Sequence, residues 1–538
     1  MKKIIYFLAF NLLFLTAYSQ RKAANSSPAY VAGKPYFSTD SYMTFYLKKG
    51  NKILSLKWQD KTGKLQRLDV SKLAFIGEKE YEYAISPYFP KGMYMEGFNE
   101  INNRCYFFFS LWDKVNKKEQ LFANEIDFDK GEFIGQPQLL MQVDGKVKDP
   151  KFRKFETIVS SDGKTALIKY ERVSQVSDDK KNFDVIGLAS FDADLKKNAV
   201  REIKMPYTER RMKKLDYHID NKGDVYILAK VFHDDSEEDK KSKSDTEANY
   251  HMEILTIMAG SDKIVSAKLD DKDKFINNLQ LFEAPKSSGV LAGGYYSNGK
   301  GKNFEENCDG VITFKVKDNG SLTDKNYFDI PVEVINQYES GKVIRKNERK
   351  EENGEGAKFT FLKLKNLKML DDGSIALVGE QYIENTQNSN VGRGGSVTTV
   401  KYNDILVTKI NPDGKLGWMR KIPKQQFGPV ANDITFKFLN TSSDLFILYL
   451  DNIKNIDLAP DQEPARHLNG EGGYLTTVKM SLIDGATTKT SLFNTREIDS
   501  FQLQRFPYSN AIDFADNSFL IEAPKGKTEK VMVKITLE

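Results

Sequence analysis

Residues 364–382 read LKNLKML-DDG-SIALVGEQY, and residues 402–422 read YNDILVTKI-NPDG-KLGWMRKI. Each half is a pair of apolar-alternating stretches joined by a turn whose glycine supplies the positive φ of a tight hairpin. A variable stretch separates the halves, so the unit is strand, turn, strand, loop, strand, turn, strand. A weaker copy runs KLDYHID-NKG-DVYILAKVF from Lys214 to Phe232, then a charged loop, then NYHMEILTIM from Asn249 to Met258. Four strands recurring at about 55 to 60 residues are the pattern of a β-propeller blade.

The same reading places further units at Ser41–Val70, Tyr94–Val143, Phe155–Met205, Asn277–Ile330 and Asp433–Phe493. The chain closes with AIDFADNSFLIEA and EKVMVKITLE. The expected fold is all-β: a single β-propeller over 41–538 with about seven four-stranded blades, or eight if both terminal pieces form complete sheets. Joining the C-terminal strands to the N-terminal ones closes it and removes two exposed edges. No Pro/Ser-rich linker marks tandem domains, and residues 20–40 are read as a lead segment. Helical pattern is scarce: YTERRMKKLD (207–216) fits one turn, and no long amphipathic stretch stands out.

Lys2 and Lys3, the apolar run Ile4–Leu15 and the small-x-small Ala17-Tyr18-Ser19 have the layout of a secretory signal peptide over 1–19. The run is too short to span a membrane, and nothing later in the chain has a spanning pattern. With 80 Lys+Arg against 75 Asp+Glu, interleaved rather than in blocks, no nucleic-acid surface is expected. Two cysteines make no disulfide framework. Cys105, inside CYFFFSLW, reads as a small buried side chain, and pairing with Cys308 is not expected.

The interruptions of the repeat are not scattered. Polar loops at 177–182, 233–249, 298–307, 384–396 and 453–473 fall between second and third strands, and 71–92 and 333–358 fall between units. In an antiparallel four-stranded sheet these two kinds of connection leave from the same end, so one face is expected to be loop-rich and the other trimmed by hairpins. Function concentrates on loops held by a rigid scaffold. The candidate partner-binding residues are therefore Tyr81, Tyr83, Tyr88 and Phe89 in the aromatic strip, Arg345 and Arg349, Arg393, and Arg466 with His467. The strip reads either as a packed lid over the channel or as a partner-docking strip.

Catalytic chemistry is not legible. The four histidines are His218, His233, His251 and His467. His218 and His251 sit in strand pattern and read as structural. The HDDSEED stretch opened by His233 is Lys-interrupted further on and reads as a solvated loop. There is no HExxH, no close Cys/His cluster and no G-x-S-x-G elbow. No cofactor and no metal are expected, and the chain is read as non-enzymatic. A glycan-binding or glycan-cleaving propeller, with carboxylates drawn from different blades, is the alternative.

DDGSIALVGEQ followed by INPDGKLGWMRKI resembles the repeats of secreted bacterial propellers. The match is good over Leu370–Arg420 and fades elsewhere, where the tryptophan is missing. The AYSQ leader end and the Lys/Asn/Phe/Tyr-rich composition are similar to those of Bacteroidetes, and no C-terminal sorting pattern is evident. The resemblance implies a periplasmic accessory subunit of an outer-membrane machine, similar to the plug subunit of the type IX secretion translocon. A protein partner in a periplasmic or outer-membrane complex is implied with it.

Overall fold

The alternating stretches become paired strands along the whole described chain. The computed structural model describes residues 30–38, 41, 43–59, 61–149, 153–242, 245–283, 289–299, 306–317, 319–388, 396–429, 435–468, 473–495, 498, 511–514, 517–525 and 528–537. The signal peptide expected over 1–19 lies outside these residues. Eight sheets of four or more strands succeed one another, and the fold is an eight-bladed β-propeller. Of the two counts expected, eight is observed. The chain divides into two compact units, Ser38–Ile330 with Lys358–Met369, and the remainder.

In the unit built on Ser38–Ile330, five sheets pair in plain meander order. Blade 1 is Met43–Lys49, Lys52–Gln59, Thr62–Asp69 and Ala74–Glu82, and blade 2 is Tyr94–Ile101, Arg104–Asp113, Lys118–Asp127 and Glu132–Asp144. Blade 3 is Glu156–Val159, Ala166–Glu171, Val185–Phe191 and Lys197–Lys204. Blade 4 is Met212–Ile219, Val225–Phe232, Tyr250–Ile257 and Ile264–Leu269. Blade 5 is Phe275–Glu283, Val290–Ser297, Gly310–Val316 and Leu322–Asp329. Their first strands lie side by side in order, followed by Leu362–Met369 against Phe275–Glu283.

The middle strands are apolar on both faces. Tyr250–Ile257 and Val290–Ser297 are buried at every position. Such a sheet must be covered on both sides. One cluster joins Tyr226, Leu228 and Ile254 of blade 4 to Ile276, Ala292 and Phe314 of blade 5. Another joins Tyr106 and Phe108 of blade 2 to Ile168 and Tyr170 of blade 3. Close packing leaves room for no side chain at Gly187, where an added Cβ would lie 2.0 Å from the Tyr170 ring.

First strands also carry bulges, at Met95/Gly97, Lys214/Asp216 and Asn277/Gln280. The polar residue at the bulge reaches the neighbouring blade. Glu96 accepts from the backbone N–H of Lys154 (2.8 Å) and Phe155 (3.0 Å), and Asp216 from that of Leu281 (2.8 Å). Asn278 donates to the Leu362 carbonyl at 3.4 Å. A bulge re-aims a side chain that regular pleating would leave elsewhere. Burial pushes the Glu96 carboxyl up to about 7, although three hydrogen bonds pull the other way.

In the second unit, the DDG and NPDG turns close as expected. Leu370 N–H donates to Ser374 and Asn411 N–H to Lys415, both at 2.8 Å, with Gly373 and Gly414 at φ 84° and 81°. Blade 7 is Lys437–Asn440, Asp444–Asp451, Tyr474–Ser481 and Thr487–Asn494. The last sheet adds Tyr30–Ala32 and Tyr36–Phe37 to Glu529–Thr536, as the closure reading expects. The sheet therefore reaches into the segment read as a lead. Tyr36 donates its hydroxyl to Glu522, inside that sheet.

Two expectations are corrected. The stretch 71–92 is not all insertion, because Ala74–Glu82 is the outer strand of blade 1. The stretch 333–358 is helical: α1 (Val332–Asn336) and α2 (Gly341–Glu352) occupy most of it. Helical periodicity was hidden because the α2 apolar side is only Val343 and Ile344 beside a buried Asn347. Cys105 is buried, as expected, and Cys308 is buried too; both are free.

Gly187→Ala is expected to cost about 1–3 kcal/mol, since the Tyr170 ring has to move to admit the methyl group; the midpoint of urea unfolding reads it. Glu96 binds its proton more tightly folded than unfolded. Its contribution is full below about pH 4.5 and is lost as pH rises through about 7. Glu96→Gln is therefore expected to flatten part of the fall in Tm between pH 5 and pH 8.

Candidate functional site

The long connections of neighbouring blades meet one another. In the Ser38–Ile330 unit, Lys148, between blades 2 and 3, reaches Glu209, between blades 3 and 4, at 3.0 Å. The same ammonium lies 3.8 Å from Glu171 and 4.0 Å from Asp184, which flank the second–third loop of blade 3. Arg210 bridges Asp179 of that loop (3.3 Å) to Glu237 (3.6 Å) and the Asp235 carbonyl (3.0 Å) in the corresponding loop of blade 4. The Lys148 ammonium, with help from Asn182 and Ser174, holds the Glu209 carboxyl below its ordinary range.

The hairpin turns likewise touch turns. Asn102 N–H donates to Gly163 (2.8 Å), Asp162 N–H to Asn221 (3.3 Å), and Arg104 pairs with Asp194 (3.2 Å). One end of each sheet is therefore trimmed and the other carries the insertions. A cavity of about 520 Å³ opens among Asp144, Arg172, Lys181, Phe183, Asp184 and Lys204 at the loop-bearing end.

Beside it, the loop after Val225–Phe232 is anchored through histidines. His251 Nε2 lies 3.0 Å from Glu253, and His251 Nδ1 lies 3.3 Å from His233 Nε2, with the rings stacked. Glu253 also accepts from Tyr207 (2.8 Å) and Ser266. Burial opposes ionisation of Glu253, but these three donors hold its carboxyl below the usual range. An ionised carboxylate only accepts, so His251 donates from Nε2, and one proton bridges His251 Nδ1 and His233 Nε2. His233 lines a polar cavity of about 580 Å³ with Lys241, Asp270 and Lys272. Burial, with His251 next, lowers its pKa and keeps it neutral. His251 fits its structural reading. The pairing with His233 was not legible, because a long loop separates partners that stand 18 positions apart in sequence.

The predicted site residues part company. Phe89 is fully buried, 5.3 Å from the Trp58 ring and 5.2 Å from Phe107. Gly63 makes room for it: a Cβ there would lie 2.4 Å from the ring. Tyr88 stacks on Phe133 and donates to Gly135, Tyr81 accepts from Phe133 N–H, and Tyr83 from Gly92 N–H. Phe89 is packing between blades 1 and 2, while Tyr81, Tyr83 and Tyr88 stay half-exposed beside it. His467 is buried, its N–H bonded to the Gln425 carbonyl, while Arg466 is exposed over the Phe427 ring. Arg345 and Arg349 are exposed on α2. Arg393 lies outside the described residues.

In the second unit the insertions are structured. Of the loop expected at 384–396, residues 384–388 and 396 are strand, because Ile375–Asn388 and Ser396–Ile410 continue pairing there, and 389–395 lie outside the described residues. Gln426–Pro429 pairs with the second of these, and His467–Leu468 adds to it in parallel. At the base, Lys424 and Glu380 form a fully buried ion pair at 2.6 Å, and Thr435 donates to Glu380 at 2.8 Å. Asn455 ties 453–465 together through Asp451 and both backbone groups of Ala465. Among the described residues, no group of three or more His, Cys, Asp or Glu is arranged to hold a metal, and no helix is long and apolar enough to cross a membrane.

The class defined by this geometry is an all-β propeller with elaborated loop-bearing blade ends. No family model matches the chain, and no curated protein matches it. Among solved structures it is similar to a prolyl endopeptidase studied for inter-domain dynamics (8% identity, TM-score 0.40, 90% of this chain and 55% of that one). It is also similar to cobalt-substituted Synechocystis ACO (9%, TM-score 0.31, 70% and 71%). A third is the propeller domain of the Trilobed protease from Pyrococcus furiosus, with its open velcro topology (10%, TM-score 0.32, 85% and 98%). The chain spans about half the length of the prolyl endopeptidase. At these similarities nothing about activity carries over.

His251→Ala removes the ring that anchors His233. Trypsin cleavage at Lys240 and Lys241 is expected to speed up several-fold relative to cleavage elsewhere, as read by mass spectrometry of timed digests.

Proposed function

We propose that this protein is a non-enzymatic binding platform that docks a protein partner on the loop-bearing ends of its blades. In this reading it is exported to the periplasm and serves as an accessory subunit of an outer-membrane protein-secretion machine, of the kind the type IX plug subunit represents. The observation that carries the docking part is the cross-linking of insertions from successive blades. Lys148, Glu209 and Arg210 tie four connections into one surface, so a partner meets pre-ordered loops and little ordering entropy is lost on binding. Polar, half-exposed cavities in that surface suit a wet protein interface. The leader-like first 19 residues and the Bacteroidetes-like repeat support the compartment and the machine.

Photo-crosslinkers placed at Lys146 and Lys181 on the loop-bearing ends, and at Lys130 and Lys164 on the hairpin ends, test the docking in native cells. Crosslinks to a partner are expected from the first pair and not the second. Recovery of uncrosslinked monomer from every position would sink the reading.

A further inference from the structure

Helix α2 carries an unpartnered row of positive charge. Lys342, Arg345, Lys346 and Arg349 stand at i, i+3, i+4 and i+7, which puts them on one face over about 10 Å of helix. All four are exposed, and among the described residues none has an ion-pair or hydrogen-bond partner for its side chain. In the same unit, the buried Lys421 and Lys424 and the half-buried Lys489 are paired. What sets the row apart is that four cations unpaired among the described residues share one helix face.

The helix is also held still. Asn347, on the opposite face, donates to Asn336 at 2.8 Å, and Glu351 accepts from Ala357 N–H. The preceding turn is fixed by Lys421, whose ammonium donates to Ile335 (3.1 Å) and Glu339 (2.7 Å) and lies 3.1 Å from Asp404. Tyr338 N–H donates to Pro460 at 2.7 Å. A fixed row of like charge is a preorganised anion-binding surface, because the repulsion among its members is already present before binding.

We infer that this face of α2 binds an acidic polypeptide segment of a partner. The inference deepens the docking reading above and rests on it. A lipid surface fits less well. An interfacial helix presents apolar side chains to the membrane, whereas Val343 and Ile344 are half-buried and the exposed face of α2 carries none. Exposed Glu348 and Glu352 border the row, which suits a narrow acidic strand or helix and opposes a broad anionic plane.

The test uses the full mature chain and a fluorescein-labelled oligoglutamate peptide. K342E/R345E/K346E/R349E is expected to weaken binding at least about tenfold with an unchanged circular dichroism spectrum, and wild-type binding is expected to weaken as salt rises. Equal binding by wild type and variant overturns the inference. So does row-dependent flotation with phosphatidylglycerol vesicles in the absence of oligoglutamate binding, which would assign the face to lipid. Should the fourfold variant unfold, Arg345→Gln with Arg349→Gln replaces it, with about threefold weakening expected and none overturning. In cells, a crosslinked complex that forms equally with the fourfold variant removes the acidic-segment inference and leaves the docking reading standing. A wild-type chain that forms no complex while still binding oligoglutamate removes the docking reading instead.

Discussion

Within each compact unit, the blades depend on packing face to face with their neighbours. A sheet whose middle strands are apolar at consecutive positions cannot present either face to water, so it folds only against a neighbour. Each hydrophobic cluster accordingly spans two successive blades: Leu56 with Phe107, Tyr106 with Ile168, Leu188 with Ile227, Leu228 with Phe314, Val407 with Ile447, Leu450 with Ile521. The last sheet completes itself with strands from the beginning of the chain, so its backbone groups along Glu529–Thr536 find partners that sequence neighbours cannot supply.

Sidedness follows from this arrangement. Antiparallel pairing sends first–second and third–fourth turns to one end and the longer connections to the other. Short turns with Gly at positive φ leave little surface to vary. The longer connections of neighbouring blades lie close enough to share ion pairs, and the Lys148–Glu209 and Arg210–Asp179 contacts turn separate insertions into one surface. Elaboration at that end costs the core nothing, since loop length enters stability only weakly.

Much of this was legible from residues. The DDG and NPDG hairpins, the blade spacing, the burial of Cys105 and the placement of insertions all follow from local chemistry and period. What was misread shares one cause: an interval defined as what lies between recognised strands. Ala74–Glu82 reads as loop because its alternation, AFIGEKEYE, is polar on the outer edge. Residues 384–388 read as loop because Glu, Asn and Thr pair there without an apolar face. Helix α2 escaped because most of its 12 residues are charged and its inward contact is an asparagine. Tyr81, Tyr88 and Phe89 were singled out for composition, yet Phe89 is core because Gly63 leaves a hole opposite it.

The chain by itself determined the repeat, the turn positions and the end of each unit that carries its insertions, because strand alternation and glycine turns are local properties. Only the tertiary structure decided which polar side chains became partners. Glu96 reaches Phe155 through a bulge, His233 meets His251 across a strand end, and Lys424 meets Glu380 in a dry interior. Tertiary packing equally left the α2 row without partners. Pairing and its absence both depend on distances between residues far apart in sequence, and no local pattern encodes those.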